Sequence, residues 1–369
     1  MIRTSLRRAL VPGISVLTVL ALSACGAANE ESSSDNAGGD APSAGLTGVL
    51  KGAGATSQEK AQGAWTTAIQ GANEGFEVQY QPVGSTDGRA NFVSGAVAFA
   101  GTDSALTDEE GQLTAAKETC GGTEPIQIPA YVSPIAVAFN LPDVDSVQMS
   151  PDTIAQIFDG KITNWSEIPD EQADGVELPD LDITPVHRSD DSGTTKNFTD
   201  YLAKAAPESW PYEAEDAFPV EGEAADGTSG VIQQVTSIEG AIGYADNSQV
   251  EGLGTVAVAV GEEFVAPSPE GAATVLEVSP PVEGASEVDM AVELDRTTTE
   301  AGAYPVVLLS YLVACQQYDD AEVEKNVKGY LEYIVSDEGQ QTAADQAGSA
   351  PLGADTATRS QEIVALIGS

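Results

Sequence analysis

Short apolar runs recur along the chain, each followed by a small polar turn and then by apolar residues three or four positions apart. Phe76-Glu77-Val78-Gln79-Tyr80 alternates with a period of two, which predicts a half-buried strand, and Val97-Ala98-Phe99-Ala100 predicts a short buried one. Ile183-Thr184-Pro185-Val186 is a third. The polar turn His187-Arg188-Ser189-Asp190-Asp191-Ser192-Gly193-Thr194-Thr195 follows it. Phe198, Tyr201 and Leu202 then recur at i, i+3 and i+4, so the stretch reads strand, loop, helix.

From Ile126 the pattern changes. Ile126–Val132 and Ile135–Asn140 are nearly continuous apolar runs with little room for a helix between them, as expected of a strand that leaves one sheet and enters another. This places a first crossover near residues 130–135. Pro151 opens a short helix through Ile154, Ile157 and Phe158, which Gly160 ends, and Trp165 beyond it reads as a packing anchor. Residues 203–230 are polar and proline-bearing, with Trp210 and Tyr212. Ser229-Gly230-Val231 reads as another turn into a helix, and Ala241–Tyr244 as a buried strand. Residues 251–299 alternate weakly and suit the edge of a second domain. The chain turns apolar again at Tyr304-Pro305-Val306-Val307, where a return crossover is placed at residues 303–307. A last helix puts Val323, Val327, Tyr330, Leu331 and Ile334 on one core-facing side.

The first residues read as a sorting signal. Arg3, Arg7 and Arg8 precede an apolar stretch, Ala9–Ala21, that is short for a bilayer span, and Leu22-Ser23-Ala24-Cys25 offers a processing site. That tetrapeptide resembles a bacterial lipobox. It implies a signal peptide over residues 1–24 and an acylated Cys25 that holds the protein on the outer face of the cell membrane by lipid alone. Residues 25–48 are Ser, Gly, Ala and acid and are expected to form a disordered tether. About 320 residues remain, enough for one large or two medium domains. With Cys25 set aside, Cys120 and Cys315 are an even pair in an oxidising compartment, and a disulfide is expected between them.

Charge narrows the function classes. The chain has 15 Lys+Arg against 58 Asp+Glu; without Arg3, Arg7 and Arg8 it has 12 against 58, a net of −46. Bulk charge of this sign excludes nucleic acid and anionic membrane surfaces as partners. It also repels small anions at long range. That field is screened within about 8–10 Å at physiological salt, so desolvated donors at hydrogen-bond distance decide affinity for an anion.

Such donors are what the turns supply. The helix predicted after Ser192-Gly193 begins with backbone N–H groups that lack intrahelical acceptors, and its macrodipole favours an anion there. Arg188 just before it can offer a planar fork to two oxygens of a tetrahedral oxyanion, with Asp190 placed to brace the guanidinium. Upstream, Gly52-Ala53-Gly54-Ala55-Thr56-Ser57 precedes a helix, and Thr56 and Glu59 have capping-box spacing. Gly84-Ser85-Thr86-Asp87-Gly88 is a third turn into a helix, and the strand at Val97–Ala100 runs to Asp103.

These motifs resemble those of the substrate-binding lipoproteins of high-affinity phosphate ABC importers: GAGAT at 52–56, VGSTDG at 83–88, FAGTDSALT at 99–107, IFDGKITNW at 157–165, HRSDDSGTT at 187–195, IEGAIGYAD at 238–246 and AGSAPLG at 347–353. The resemblance implies an α/β fold of the two-lobe periplasmic-binding-protein type (type II), with two mixed sheets, flanking helices and two hinge crossovers. Lobe I would hold residues 49–130 plus 307–369, and lobe II residues 131–306. It implies that Thr56, Ser57, Ser85, Asp103, Arg188, Ser192, Gly193 and Thr194 hold inorganic phosphate between the lobes. It also implies permease and ATPase subunits as partners, a monomer, and no cofactor, metal or catalysis. Ser57 stands where relatives often carry an aromatic residue, and Asp87 where they carry small uncharged ones, so Asp87 is taken to face solvent. Asp103 discriminates between anions, because phosphate near neutral pH carries a proton to donate and sulfate does not.

Two alternatives follow from the same residues. Another oxyanion, sulfate or molybdate, would suit the donors but not Asp103. A phosphate-ester hydrolase would need the single histidine, His187, to reach a serine in its own loop, and Ser192 lies in no G-x-S-x-G turn.

Overall fold

A computed structural model describes residues 45–108, 111–169, 172 and 176–369. The expected signal peptide, Cys25 and most of the expected tether lie outside these residues. Residues 45–48 are described: Leu46 is buried, and its N–H donates to Asn73 Oδ1.

The first half of the fold alternates strand and helix. It comprises β1 (Gly48–Gly54), α1 (Glu59–Ala72), β2 (Phe76–Pro82), α2 (Ser85–Val93), β3 (Phe99–Thr102) and α3 (Gln112–Thr119). β1 lies between β2 and β3 and is parallel to both, as strand–helix–strand units require. After the long β4 (Ile126–Phe139) come β5 (Ser146–Met149), α4 (Pro151–Phe158), β6 (Thr184–Arg188), α5 (Gly193–Ala205), β7 (Glu223–Ala225), α6 (Gly227–Ser237), β8 (Ala241–Asp246), β9 (Gly254–Val260), β10 (Glu263–Val265) and α7 (Pro269–Val278). The chain returns through β11 (Val307–Ala314) and ends in α8 (Ala321–Ile334), α9 (Asp337–Ala347) and α10 (Ala354–Ala365).

The strands form one hydrogen-bonded path, β2-β1-β3-β11-β4-β8-β6-β7, with β9 on β4 and with β5 and β10 on β9. β4 joins its two mixed halves. It pairs antiparallel with β11 from Ile126 to Pro134 and then with β8 from Ile135 to Phe139. All fourteen of its residues are buried, which is why both apolar runs of the sequence belong to one strand. Its prolines lie where the ladder is interrupted: Pro129 is beside the register shift at Ser310/Tyr311, and Pro134 is at the change of partner.

Residues 251–299 do more than form an edge. β9 and β10 extend the sheet, but Ala272 and Val275 of α7, with Leu294 and Ala303, pack on Val132, Val307, Leu309 and Tyr311, where β4 and β11 lie side by side. α8 buries Val327, Tyr330, Leu331 and Ile334 as its periodicity predicts, and two further helices follow it. Trp165 is fully buried, with Nε1–H donating to Gly240 O at 3.0 Å. Cys120, at the end of α3, is bonded to Cys315, just past β11.

Candidate functional site

Ser192 is the N-cap of α5: its backbone is extended, and its Oγ accepts from Thr195 N–H at 3.3 Å. Gly193 is the first helical residue and faces two candidate residues from the other half of the fold. A Cβ there would lie 2.6 Å from Ser85 Oγ and 2.7 Å from Asp103 Cβ. Only glycine lets this helix end approach so closely. Ser85 itself opens α2, preceded by Gly84 at φ +92°, and Ser85 Oγ accepts from Asp103 N–H at 3.1 Å.

Asp103 is the convergence point. It is 4% exposed. Ser57 Oγ lies 2.8 and 2.9 Å from its two carboxylate oxygens, Ser310 Oγ donates to Oδ1 at 2.6 Å, and Thr194 Oγ1 donates to Oδ2 at 3.1 Å. Burial pushes its pKa above the ordinary carboxylate value; bonds from Ser310, Ser57 and Thr194 and the charge of Arg188 pull the other way without prevailing. Asn197 Nδ2 donates to its backbone carbonyl at 2.7 Å, and Arg296, also buried, donates to Asn197 Oδ1.

Arg188, the last residue of β6, is 3% exposed. Its Nε donates to Asp190 Oδ1 at 2.7 Å and its Nη2 to Asp190 Oδ2, the bracing expected from the sequence. Burial raises the Asp190 pKa, but the bonds and charge of Arg188 and the N–H of Gly227 outweigh it, so this carboxyl sits below its usual value. The N–H of Arg188 donates to Tyr244 OH, which is paired with Thr195 Oγ1 at 2.7 Å.

Thr56 departs from its expected local role. Its hydroxyl does not cap α1, which starts at Glu59 after Gln58 with no side-chain cap. It lies 2.9 Å from Thr228 Oγ1 on α6, and Thr228 N–H donates to it at 3.3 Å. The capping box read from Thr56 and Glu59 is therefore not formed, because a tertiary partner takes the hydroxyl. Ser57 likewise commits its hydroxyl to a tertiary partner, Asp103. Asp87 is exposed.

All eight sequence-selected residues are buried, and the contacts of Thr194 and Gly193 with Asp103 and Ser85 bring both halves of the fold together. Sequence reading missed Thr228, Ser310 and Asn197. Thr228 carries a signal of the kind used elsewhere, since Gly227-Thr228-Ser229-Gly230 is another glycine-bearing turn into a helix. Ser310 carries none: it sits in an apolar strand and meets Asp103 only through tertiary packing. His187 does not face Ser192's cap. Its ring stacks on Phe218 with centroids 4.5 Å apart, and its Nδ1 lies 2.9 Å from Arg188 O.

A cavity of about 290 Å³ touches Asp103 and is lined also by Lys196, Asn197 and Arg296. The larger groove, about 860 Å³, lies beside Cys120 and Cys315 and includes none of the candidate residues.

Known proteins share this architecture. Residues 38–338 match the family model described as a PBP superfamily domain. A protein of Mycobacterium bovis (strain BCG / Pasteur 1173P2) named phosphate-binding protein PstS2 is 32% identical over 348 residues, covering 90% of this chain and 91% of that one. The phosphate-binding protein PstS of Haemophilus influenzae is 27% identical over 83% of this chain and 89% of its own. Among solved structures, a phosphate-binding protein from Stenotrophomonas maltophilia superposes with a TM-score of 0.68 at 22% identity, covering 86% of this chain and 94% of that one. By its sequence and its two-lobe α/β fold, this chain belongs to the PBP superfamily and, within it, to the family of phosphate-binding proteins of phosphate ABC importers.

Proposed function

We propose that this protein captures inorganic phosphate between its lobes, outside the cytoplasm, and delivers it to the permease and ATPase subunits of an ABC importer. It is a transport component, not an enzyme. The observation that carries the reading is Asp103: a buried carboxylate bracketed by Ser57, Ser310 and Thr194 hydroxyls, within electrostatic reach of a buried arginine. Such an acid beside an oxyanion is unfavourable unless the anion brings a proton, so it suits phosphate and opposes sulfate or molybdate.

Thr56, Ser57, Ser85, Arg188, Ser192, Gly193 and Thr194 supply hydroxyls, N–H groups and a guanidinium around it. Lobe I is taken as residues 49–130 plus 307–369 and lobe II as 131–306, with crossovers near residues 130–135 and 303–307. Arg3, Arg7 and Arg8, the apolar stretch and Leu22-Ser23-Ala24-Cys25 support export, cleavage before Cys25 and a lipid anchor. Calorimetry of the full chain in detergent tests the binding: phosphate should give a saturable heat and sulfate none at equal concentration. Equal binding of both would remove the Asp103 argument. Cys25→Ala should move the protein from the membrane fraction to the medium; retention would refute the anchor.

A further inference from the structure

Asp216 lies in the polar stretch between α5 and β7, to which sequence reading gave no role. Its backbone carbonyl accepts from Ser192 N–H at 2.8 Å, and so holds the cap residue of α5. Its carboxylate Oδ2 accepts from Thr86 Oγ1 at 2.9 Å and from Arg89 Nη2, both on α2 in the other half of the fold. Arg89 in turn donates through Nη1 to Thr102 Oγ1 at 3.0 Å, next to Asp103. The pair is withdrawn from water, with side chains 3% and 14% exposed.

We propose that Arg89 and Asp216 are positioning residues that latch the cleft, fixing Ser192 at the head of α5 against Ser85 at the head of α2. The pair touches candidate ligand residues from both lobes through one short chain of bonds: Ser192, Asp216, Thr86 or Arg89, and the start of α2. It is not saturated, because Arg89 Nε and Asp216 Oδ1 are buried without partners. Both groups regain water when the lobes part, so the desolvation cost of the closed pair keeps it reversible. It acts as a latch rather than a lock. Arg89 is thereby committed to protein and leaves Arg188 to face the anion.

This inference rests on reading the cleft as the phosphate site, and the experiment separates the two. Phosphate release is measured by stopped flow on the full chain in detergent for wild type, Arg89→Gln, Asp216→Asn and the double variant. Amide exchange is followed in the same samples without phosphate. Each single variant should raise the release rate about tenfold with little change in the association rate. The double variant should lose clearly less than the sum of the two singles, because the Arg89–Asp216 interaction is already gone in each. Exchange should quicken in peptides covering residues 84–93 and 188–197 and stay unchanged in α8 and α10, which a general loss of stability would not produce. Thr86→Val removes the Thr86 bonds to Asp216 and Arg89 but leaves the ion pair in place, and it should show a smaller effect of the same kind, even where a charge variant folds poorly. Additive losses, unchanged release or unchanged exchange at the two helix starts would overturn the latch. Absence of phosphate binding by the wild type would defeat the functional reading, while the exchange data would still decide whether the latch exists.

Discussion

Thr194 donates its hydroxyl to Asp103 across the cleft at 3.1 Å, joining residues 91 positions apart on opposite halves of the fold. One carboxylate oxygen is thus held by a residue of the other half of the fold, and under the proposed function the same carboxylate tests the anion for a proton.

Asp103→Asn keeps the shape and removes the charge. Sulfate affinity should rise relative to phosphate by about 10- to 100-fold, the value of one charge-assisted hydrogen bond. Competition calorimetry reads it, and unchanged selectivity would show that the proton is tested elsewhere.

Arg188→Ala removes the guanidinium and leaves Asp190 with only the N–H of Gly227 and no charge partner, and Thr56→Val removes a hydroxyl without changing volume. Phosphate affinity should fall by about a hundredfold or more in the arginine variant and about tenfold in the threonine variant. Tight binding by both would refute the site.

Gly193→Ala separates the helix from the cleft. Alanine favours the α5 conformation, so thermal stability should hold or rise slightly. A Cβ would nevertheless meet Ser85 Oγ at 2.6 Å and obstruct the approach of the two halves. The expected signature is a loss of phosphate affinity of about tenfold or more with no loss of melting temperature. Unaltered affinity would mean that α5 does not need this approach.

Asp246, at the end of β8, is wholly buried and accepts from Tyr131 OH and from the N–H and hydroxyl of Ser248. Burial raises its pKa to about 6. A folded value above the unfolded one means that the native state binds more protons between about pH 4 and pH 6, so this residue's contribution is greatest at low pH and is lost as pH rises through 6. Asp246→Asn should flatten the fall in stability between pH 4 and pH 6, by about 2–3 kcal/mol. Urea unfolding across that range checks it, and a parallel pH profile in the variant would rule it out.

The Cys120–Cys315 bond spans 195 residues and lies away from the candidate site. Its removal by Cys120→Ala with Cys315→Ala should cost about 2–4 kcal/mol of stability while leaving phosphate affinity within about twofold. A large change in affinity instead would tie the bond to the cleft.

Much of the site is legible in the chain because each turn sits between a strand and a helix, and period-two and period-3.6 patterns reveal both. Ser192 and Gly193 at the head of α5 follow from that local pattern, as does the bracing of Arg188 by Asp190 two residues on. The Thr56–Glu59 capping box fails for the complementary reason: a hydroxyl that could serve its own helix finds Thr228 instead, 172 positions away. Ser310 was invisible because nothing near it in sequence differs from an ordinary buried strand.

By itself the sequence determined the strand–turn–helix order around the donor-bearing turns, the apolar runs that became β4, the acid surface and the turns rich in anion donors. These follow from spacing and residue chemistry over a few positions. Tertiary structure alone decided which hydroxyls surround Asp103 and which arginine is committed to Asp216. Strand register and packing set those pairings over separations of many residues, and hydrogen bonds form only where the two halves of the chain are brought within about 3 Å.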